Sequence, residues 1–198
     1  MIRAATDADR PAAAKLLARA FIDDPAMAYL FPDAATRAAR LDRFFAMIVK
    51  IDDDPGHWSL ASDLAGTLVA AALWRPPGAW ETQLPAMLRA LPEMVATFRT
   101  GLLRALALQR TLEKHHPRAP HWYLQFVGCD TAAQGKGYGG AAIRARLAVC
   151  DAQGLPAALE TATPANLGLY QALGFVITDS FTIKGGPDFW TMWREPSQ

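Results

Sequence analysis

Cysteine is scarce. The 198-residue chain has only Cys129 and Cys150, too few for a disulfide scaffold and without the paired spacing of a zinc site. Net charge is scarce too: 20 Lys and Arg against 19 Asp and Glu leave +1. No long-range field therefore steers the protein to nucleic acid or an anionic membrane, and any anion it binds must be held locally. The longest nearly apolar run, Leu64 to Trp74, is about half of a membrane-spanning helix. Met1 to Asp7 lacks the apolar core of a secretory leader. The four histidines, His57, His115, His116 and His121, show no metal-ligand spacing, because adjacent residues on a helix face different ways. The expectation is a cytoplasmic protein with no metal, no nucleic-acid partner and no membrane partner.

What is present is a folding composition, 52% hydrophobic and 20% charged with 14 Gly and 14 Pro, which excludes a disordered chain or a collagen. Its length is about 1.3 times a typical domain, so one domain over residues 1–198 carrying an elaboration is expected. Met1 to Ala5 reads as a short strand, and Thr6 as the cap of a helix with Ala13, Leu16, Leu17, Ala20 and Phe21 on one face. Asp23-Asp24-Pro25 reads as a break, followed by a second amphipathic helix carrying Leu41, Phe44, Phe45 and Ile48. Asp52-Asp53-Asp54 before Pro55-Gly56 reads as a solvated loop. His57 to Ser62 and Gly66 to Trp74 read as a hairpin, the second strand apolar enough for a sheet centre. Residues from about 81 to 117 form a helical elaboration, with Pro85 and Pro92 bounding turns. From Pro120 the order is strand (122–129), glycine-rich loop, helix (139–153), strand (157–161), helix (165–173), strand (175–183) and strand (189–194). Strand-helix-strand connections imply parallel pairing and the closing pair an antiparallel one, so a mixed, partly parallel sheet of about seven strands is expected, of the α+β or α/β class.

The loop Gln134-Gly135-Lys136-Gly137-Tyr138-Gly139-Gly140 leaves a strand and opens a helix. Such a corner presents several backbone N–H groups and the positive helix end to one point, where missing side chains let a phosphate approach. A mononucleotide P-loop requires Ser or Thr after Gly-Lys, and here Gly137 follows Lys136. A dinucleotide fold places its glycine loop after the first strand, and this one lies past the middle of the chain. A ligand-free glycine turn remains a reading of the loop alone.

Taken with its neighbours, the loop resembles the GNAT family of N-acetyltransferases. The Gln/Arg-x-x-Gly-x-Gly/Ala signature is matched by Gln134, Gly137 and Gly139. Glu160 lies on the next strand, Pro164-Ala165-Asn166 opens the next helix, and Tyr170-Gln171-Ala172-Leu173-Gly174-Phe175 follows, in the family's order. The resemblance is specific over about the last 80 residues, from Pro117 to Arg194, and looser before that. It implies helices on both faces of the sheet, acetyl-CoA as cosubstrate, and a small-molecule amine as acceptor by direct transfer. A protein N-terminus or lysine, or a non-catalytic CoA-binding role, stands as the alternative, and the assembly as monomer or homodimer.

The resemblance also implies residue roles. The amides of Gly135 to Gly140 seat the pyrophosphate, with Tyr138 inside that turn and Lys136 either adding charge or solvated. The main-chain groups of Val127 and Cys129 hold the pantetheine arm, the Val127 N–H toward the thioester oxygen. The Cys129 side chain reads as a small core residue rather than a nucleophile. Tyr170 matches the general acid, with packing in the helix face as its plain alternative. Glu160 is the base, directly or through water, or else a structural carboxylate. Asn166 holds the pantetheine amide or a water, or starts a helix. His115 and His116 are expected to interact with a helix C-terminus, Trp122 to be core, and Trp80 is left open between core and an acceptor pocket.

Overall fold

The computed structural model describes residues 1–80 and 84–197. The chain runs β1 (Ile2–Ala4), α1 (Arg10–Ala20), α2 (Pro25–Leu30), α3 (Ala34–Ile51), β2 (Ser59–Ser62), β3 (Leu68–Arg75), α4 (Leu84–Phe98), α5 (Leu102–His115), β4 (Trp122–Cys129), α6 (Tyr138–Gln153), β5 (Ala157–Thr161), α7 (Leu167–Ala172), β6 (Val176–Thr182) and β7 (Asp188–Arg194). The strands form one seven-stranded mixed sheet in the order β1-β2-β3-β4-β5-β7-β6. Only β4 and β5 are parallel; the other neighbours are antiparallel.

β3 is buried almost end to end, as a continuous apolar run in the sheet centre must be. Its side chains alternate between two cores. Ala71 and Leu73 join the core under α1 and α3, whereas Ala70, Ala72 and Trp74 join the one under α6 and α7. Helices thus cover both faces. Gly128 on β4 sets the spacing of α1: a Cβ there would stand 2.8 Å from the Ala20 Cβ and 2.9 Å from Leu17 Cδ2.

Several local expectations are corrected. Asp24-Pro25 starts a helix as well as ending a turn, because Pro suits the first helical position and Asp24 Oδ1 accepts from the Ala26 and Met27 amides, both at 3.0 Å. Thr6 and Asp9 form a capping box on a 3-10 turn that precedes α1. Pro92 lies inside α4; the break comes instead at Arg99, a non-glycine residue at φ 48°. Residues 81–83, the start of the expected helical elaboration, lie outside the described residues. Asp52 is buried and accepts from the Trp58 indole N–H at 3.2 Å, so the acidic triplet is not wholly solvated.

Candidate active site

The site begins where the sheet parts. β4 and β5 pair only at Trp122↔Ala157 and Tyr123↔Ala158. Immediately beyond, Gln125 is an extra residue on β4, since Leu73 faces Phe126 and Trp74 faces Leu124. Such a bulge bends its strand, and Arg75 Nε donates to Gln125 Oε1 at 2.9 Å. β4 then stays with β3 up to Cys129 while β5 pairs with β7. The Asp130 amide donates to the Val69 carbonyl at 2.8 Å. By the alternation of an antiparallel ladder, Gly128 also faces β3, and the main-chain groups of Val127 and Cys129 face the open gap.

The glycine-rich loop stands at the mouth of this gap. Gly135 (φ 74°) and Gly137 (φ 82°) take a left-handed conformation that favours glycine, and an added Cβ on either meets nothing within 4 Å. The first α6 amide bonded to a carbonyl is that of Ala141, to Gly137 at 2.9 Å. The Gln134 amide donates to the Thr131 carbonyl at 3.4 Å and the Gly139 amide to Cys129 Sγ; the other amides from Gly135 to Gly140 have no carbonyl partner among the described residues. The loop is therefore an open row of N–H donors ending in a 16-residue helix N-terminus. Gln134 Nε2 donates to the Cys129 carbonyl at 3.4 Å, and Lys136 Nζ to the Ala132 carbonyl at 3.0 Å. Tyr138 packs against the α6-side core. Burial, then the Asp130 charge, pushes the Cys129 thiol above its ordinary value, which leaves it protonated and a poor nucleophile.

Beside the gap lies a cavity of about 300 Å³ whose walls include Val127, Glu160, Asn166, Tyr170 and Asp24. Tyr170, on α7, is buried (5% exposed), packs edge-on to Phe175, and its hydroxyl has no hydrogen-bond partner among the described residues. Burial first, and the Asp24 carboxylate second, push its pKa well above the ordinary tyrosine value. Burial likewise raises Asp24, whose Oδ2 accepts from the Thr163 hydroxyl at 3.0 Å. Asn166 is exposed and makes no side-chain capping bond to α7, so capping does not occupy its amide.

Glu160 has a buried side chain, 2% exposed. His116 Nδ1 lies 2.9 Å from Glu160 Oε1, while Glu160 Oε2 and His116 Nε2 have no partner among the described residues. Trp80 stacks on the His116 ring at 4.1 Å and Tyr123 meets it edge-on at 4.8 Å. His121 lies beyond, its protonation disfavoured chiefly by burial. The expectation that His116 serves a helix C-terminus is thus corrected: β5 presents a carboxylate to it. His115 goes instead to Asp179, at 2.6 Å. Trp80 belongs to the cavity wall and Trp122 is core. Asp24 and His116 are among the polar residues of the cavity that sequence reasoning missed, with Tyr123 and Gln125. A helix-ending His before a proline was the available signal for His116, and it does not name its partner.

A chain with this parted sheet and glycine loop has the architecture of an acetyltransferase. Residues 19–175 match the acetyltransferase (GNAT) family model, and the protein belongs to that family. It is 28% identical over 193 residues to an uncharacterized N-acetyltransferase of Schizosaccharomyces pombe, covering 87% of this chain and 72% of that protein. Among solved structures it is similar to a Corynebacterium glutamicum protein described as histone acetyltransferase HPA2 and related acetyltransferase (TM-score 0.73, 26% identity, covering 100% and 97% of the two chains). It also shares its fold with arylalkylamine N-acetyltransferase 2 of Aedes aegypti (TM-score 0.65, 12% identity, covering 100% and 99%). No helix among the described residues is long and apolar enough to cross a membrane.

Proposed function

We propose that the protein is an acetyl-CoA-dependent N-acetyltransferase that passes the acetyl group directly, in a ternary complex, to a primary amine of a small antibiotic- or metabolite-like molecule. The observation that carries this reading is the parting of β4 from β5, which leaves the gap-facing main chain of Val127 and Cys129 without a neighbouring strand beside a cavity holding both Glu160 and Tyr170. We read residues 1–198 as one such domain, with α4 and α5 as its elaboration. We also read the stretch from Pro117 to Arg194 as resembling puromycin N-acetyltransferase, through His-x-Pro, Gln-Gly-Lys-Gly, Leu-Glu-Thr and Leu-Gly-Phe; this stretch carries the cofactor seat and the chemistry, and the choice of acceptor lies outside it.

Bound acetyl-CoA supplies an activated thioester whose thiolate leaves when an amine attacks. The uncommitted amides between Gly135 and Gly140 suit its pyrophosphate, and a pantetheine arm can pair with Val127 and Cys129 as an added strand. Gln134 braces the end of that strand through the Cys129 carbonyl. The Val127 N–H is aimed where a thioester oxygen gains charge. Asn166 holds the pantetheine amide or a water. Glu160 takes the proton of the incoming ammonium, directly or through water, and His116 orients its carboxylate. Tyr170 hydrogen-bonds the leaving sulfur.

Calorimetry with CoA, followed by thiol release from acetyl-CoA across small amines and peptides, tests the reading. Binding heat and release dependent on a small amine are expected. Absence of heat removes the proposal; heat without acceptor-dependent release leaves a CoA-binding protein; release with peptides alone makes the acceptor a protein.

A further inference from the structure

The cavity also constrains the acceptor, an inference that rests on the transferase reading. Its apolar lining is drawn largely from helices, with Met27 from α2, Phe44 and Ile48 from α3, Phe98 from α4, and Leu108 and Leu112 from α5. Among its described lining residues there is no Lys or Arg, and the charged ones are Asp24, Glu113 and Glu160. These three carboxylates are not equivalent. Both oxygens of Asp24 are already engaged, Oδ1 by two amides of α2 and Oδ2 by the Thr163 hydroxyl. Glu113 is exposed at the rim and bonded by Gln109. Glu160 alone is buried with an oxygen, Oε2, that has no partner in hydrogen-bond geometry among the described residues, and the Tyr123 hydroxyl faces the same carboxylate. Trp80 and Tyr123, packed around His116 beside it, form an aromatic collar.

An unpaired buried carboxylate oxygen at one end of an apolar chamber calls for one cation and an apolar body. We propose that the acceptor is an amphiphilic monoamine, whose single ammonium meets Glu160 Oε2 and whose aryl or medium-length alkyl body fills the chamber between α3, α4 and α5. A second ammonium on the far end of such a body lands among Phe, Leu, Ile and Met side chains and is left desolvated. An aminoglycoside or peptide brings hydroxyls and amides for which the chamber wall has few partners. The reaction balances: the ammonium gives one proton to Glu160, the free amine forms the C–N bond as the C–S bond of the thioester breaks, and the second nitrogen proton passes to the departing thiolate, which Tyr170 meanwhile hydrogen-bonds without giving up its own proton; Glu160 then returns its proton to solvent.

The test is kcat/KM, by thiol release, along the n-alkylamines from propylamine to octylamine, then for 2-phenylethylamine and for the α,ω-diamine of octane. CoA binding is measured in parallel by calorimetry. Each methylene buried should raise kcat/KM about fourfold, 2-phenylethylamine should rank with the longer alkylamines, and the diamine should fall about a hundredfold below octylamine. A flat or falling series, a diamine equal to octylamine, or turnover of spermidine or kanamycin alone overturns the monoamine assignment and leaves acetyl transfer standing. CoA heat with no release from any of these monoamines overturns it as well. Absence of CoA heat removes the transferase reading itself.

Discussion

Replacing Tyr170 with Phe is an unusually clean perturbation here, because the hydroxyl has no hydrogen-bond partner to orphan and the ring keeps its edge-on contact with Phe175. A tyrosine at its ordinary pKa of about 10 donating to a thiolate of about 8.5 faces an uphill transfer of about 2 kcal/mol. In the folded protein burial and Asp24 raise the tyrosine further, so the gap is wider than that. Complete proton transfer is therefore a poor description, and Tyr170 acts as a hydrogen-bond donor to developing negative charge. Such a charged hydrogen bond contributes about 1.5–3 kcal/mol, which makes the expected loss in kcat roughly tenfold to a hundred-and-fiftyfold. The assay is thiol release at saturating acetyl-CoA, beside the calorimetric Kd for CoA and the melting temperature, both expected to hold. The sign of the pKa shift gives a second readout. A hydroxyl raised above its ordinary value stays protonated on the alkaline side, so wild-type kcat should not decline up to pH 9.5, where an unperturbed tyrosine has lost about a quarter of its protons. A loss in kcat below threefold, or a Kd that rises by the same factor as kcat falls, refutes the donor role.

Three further outcomes follow from the same geometry. Glu160→Gln removes the base while keeping a group that can face His116. It should lower kcat/KM for the amine about a hundredfold near pH 7, and the deficit should shrink as pH rises, because solution then supplies the free amine; a deficit independent of pH makes Glu160 structural. Gly128→Ala forces a methyl into Ala20 and Leu17 and should cost about 1–3 kcal/mol of unfolding free energy in urea; an unchanged midpoint shows that α1 yields there freely. Arg194, buried, donates twice to Asp151, which its guanidinium holds below the usual carboxylate range. A depressed carboxylate stabilises above its unfolded pKa and loses that contribution as pH falls through the folded one. Asp151→Asn should therefore lower the melting temperature at pH 7, with the difference closing in strong acid; a difference that persists at pH 2 points to packing instead.

Sequence legibility here follows how local each feature's cause is. The turn from Gln134 to Gly140 was readable because two of its glycines occupy positive φ, a requirement visible in residue identity. β3 was readable as a central strand from its unbroken apolarity. α2 was missed because Asp-Pro serves equally to stop one helix and to start the next, and only the capping bonds of Asp24 decide. The break between α4 and α5 was sought at Pro92, yet a helix survives one missing N–H and the chain turns at Arg99 instead. His116 lies furthest from inspection. Its partner Glu160 is 44 residues away, and they meet because β5 slots next to β4 at the level of the segment leaving α5. The depth of the sheet's opening was equally hidden, since it depends on one extra residue, Gln125, on β4.

That bulge accounts for the division of labour in the molecule. On one side of the opening the ligand-facing groups are main-chain amides and carbonyls, from Val127 and Cys129 to the turn before α6, and a side-chain replacement there leaves the donors in place. On the other side the apolar part of the chamber is lined by residues of α2, α3, α4 and α5, none of which is placed to seat a pyrophosphate. Mutations in the chamber can therefore change the acceptor without disturbing the cofactor seat. The link between the halves is narrow: Glu160, held by His116 from the segment that follows α5. A shift of α4 and α5 that loosens the Trp80–His116 stack is expected to reach the carboxylate before it reaches the loop, so variation in the helical segment should alter amine specificity and pH dependence while CoA affinity stays constant.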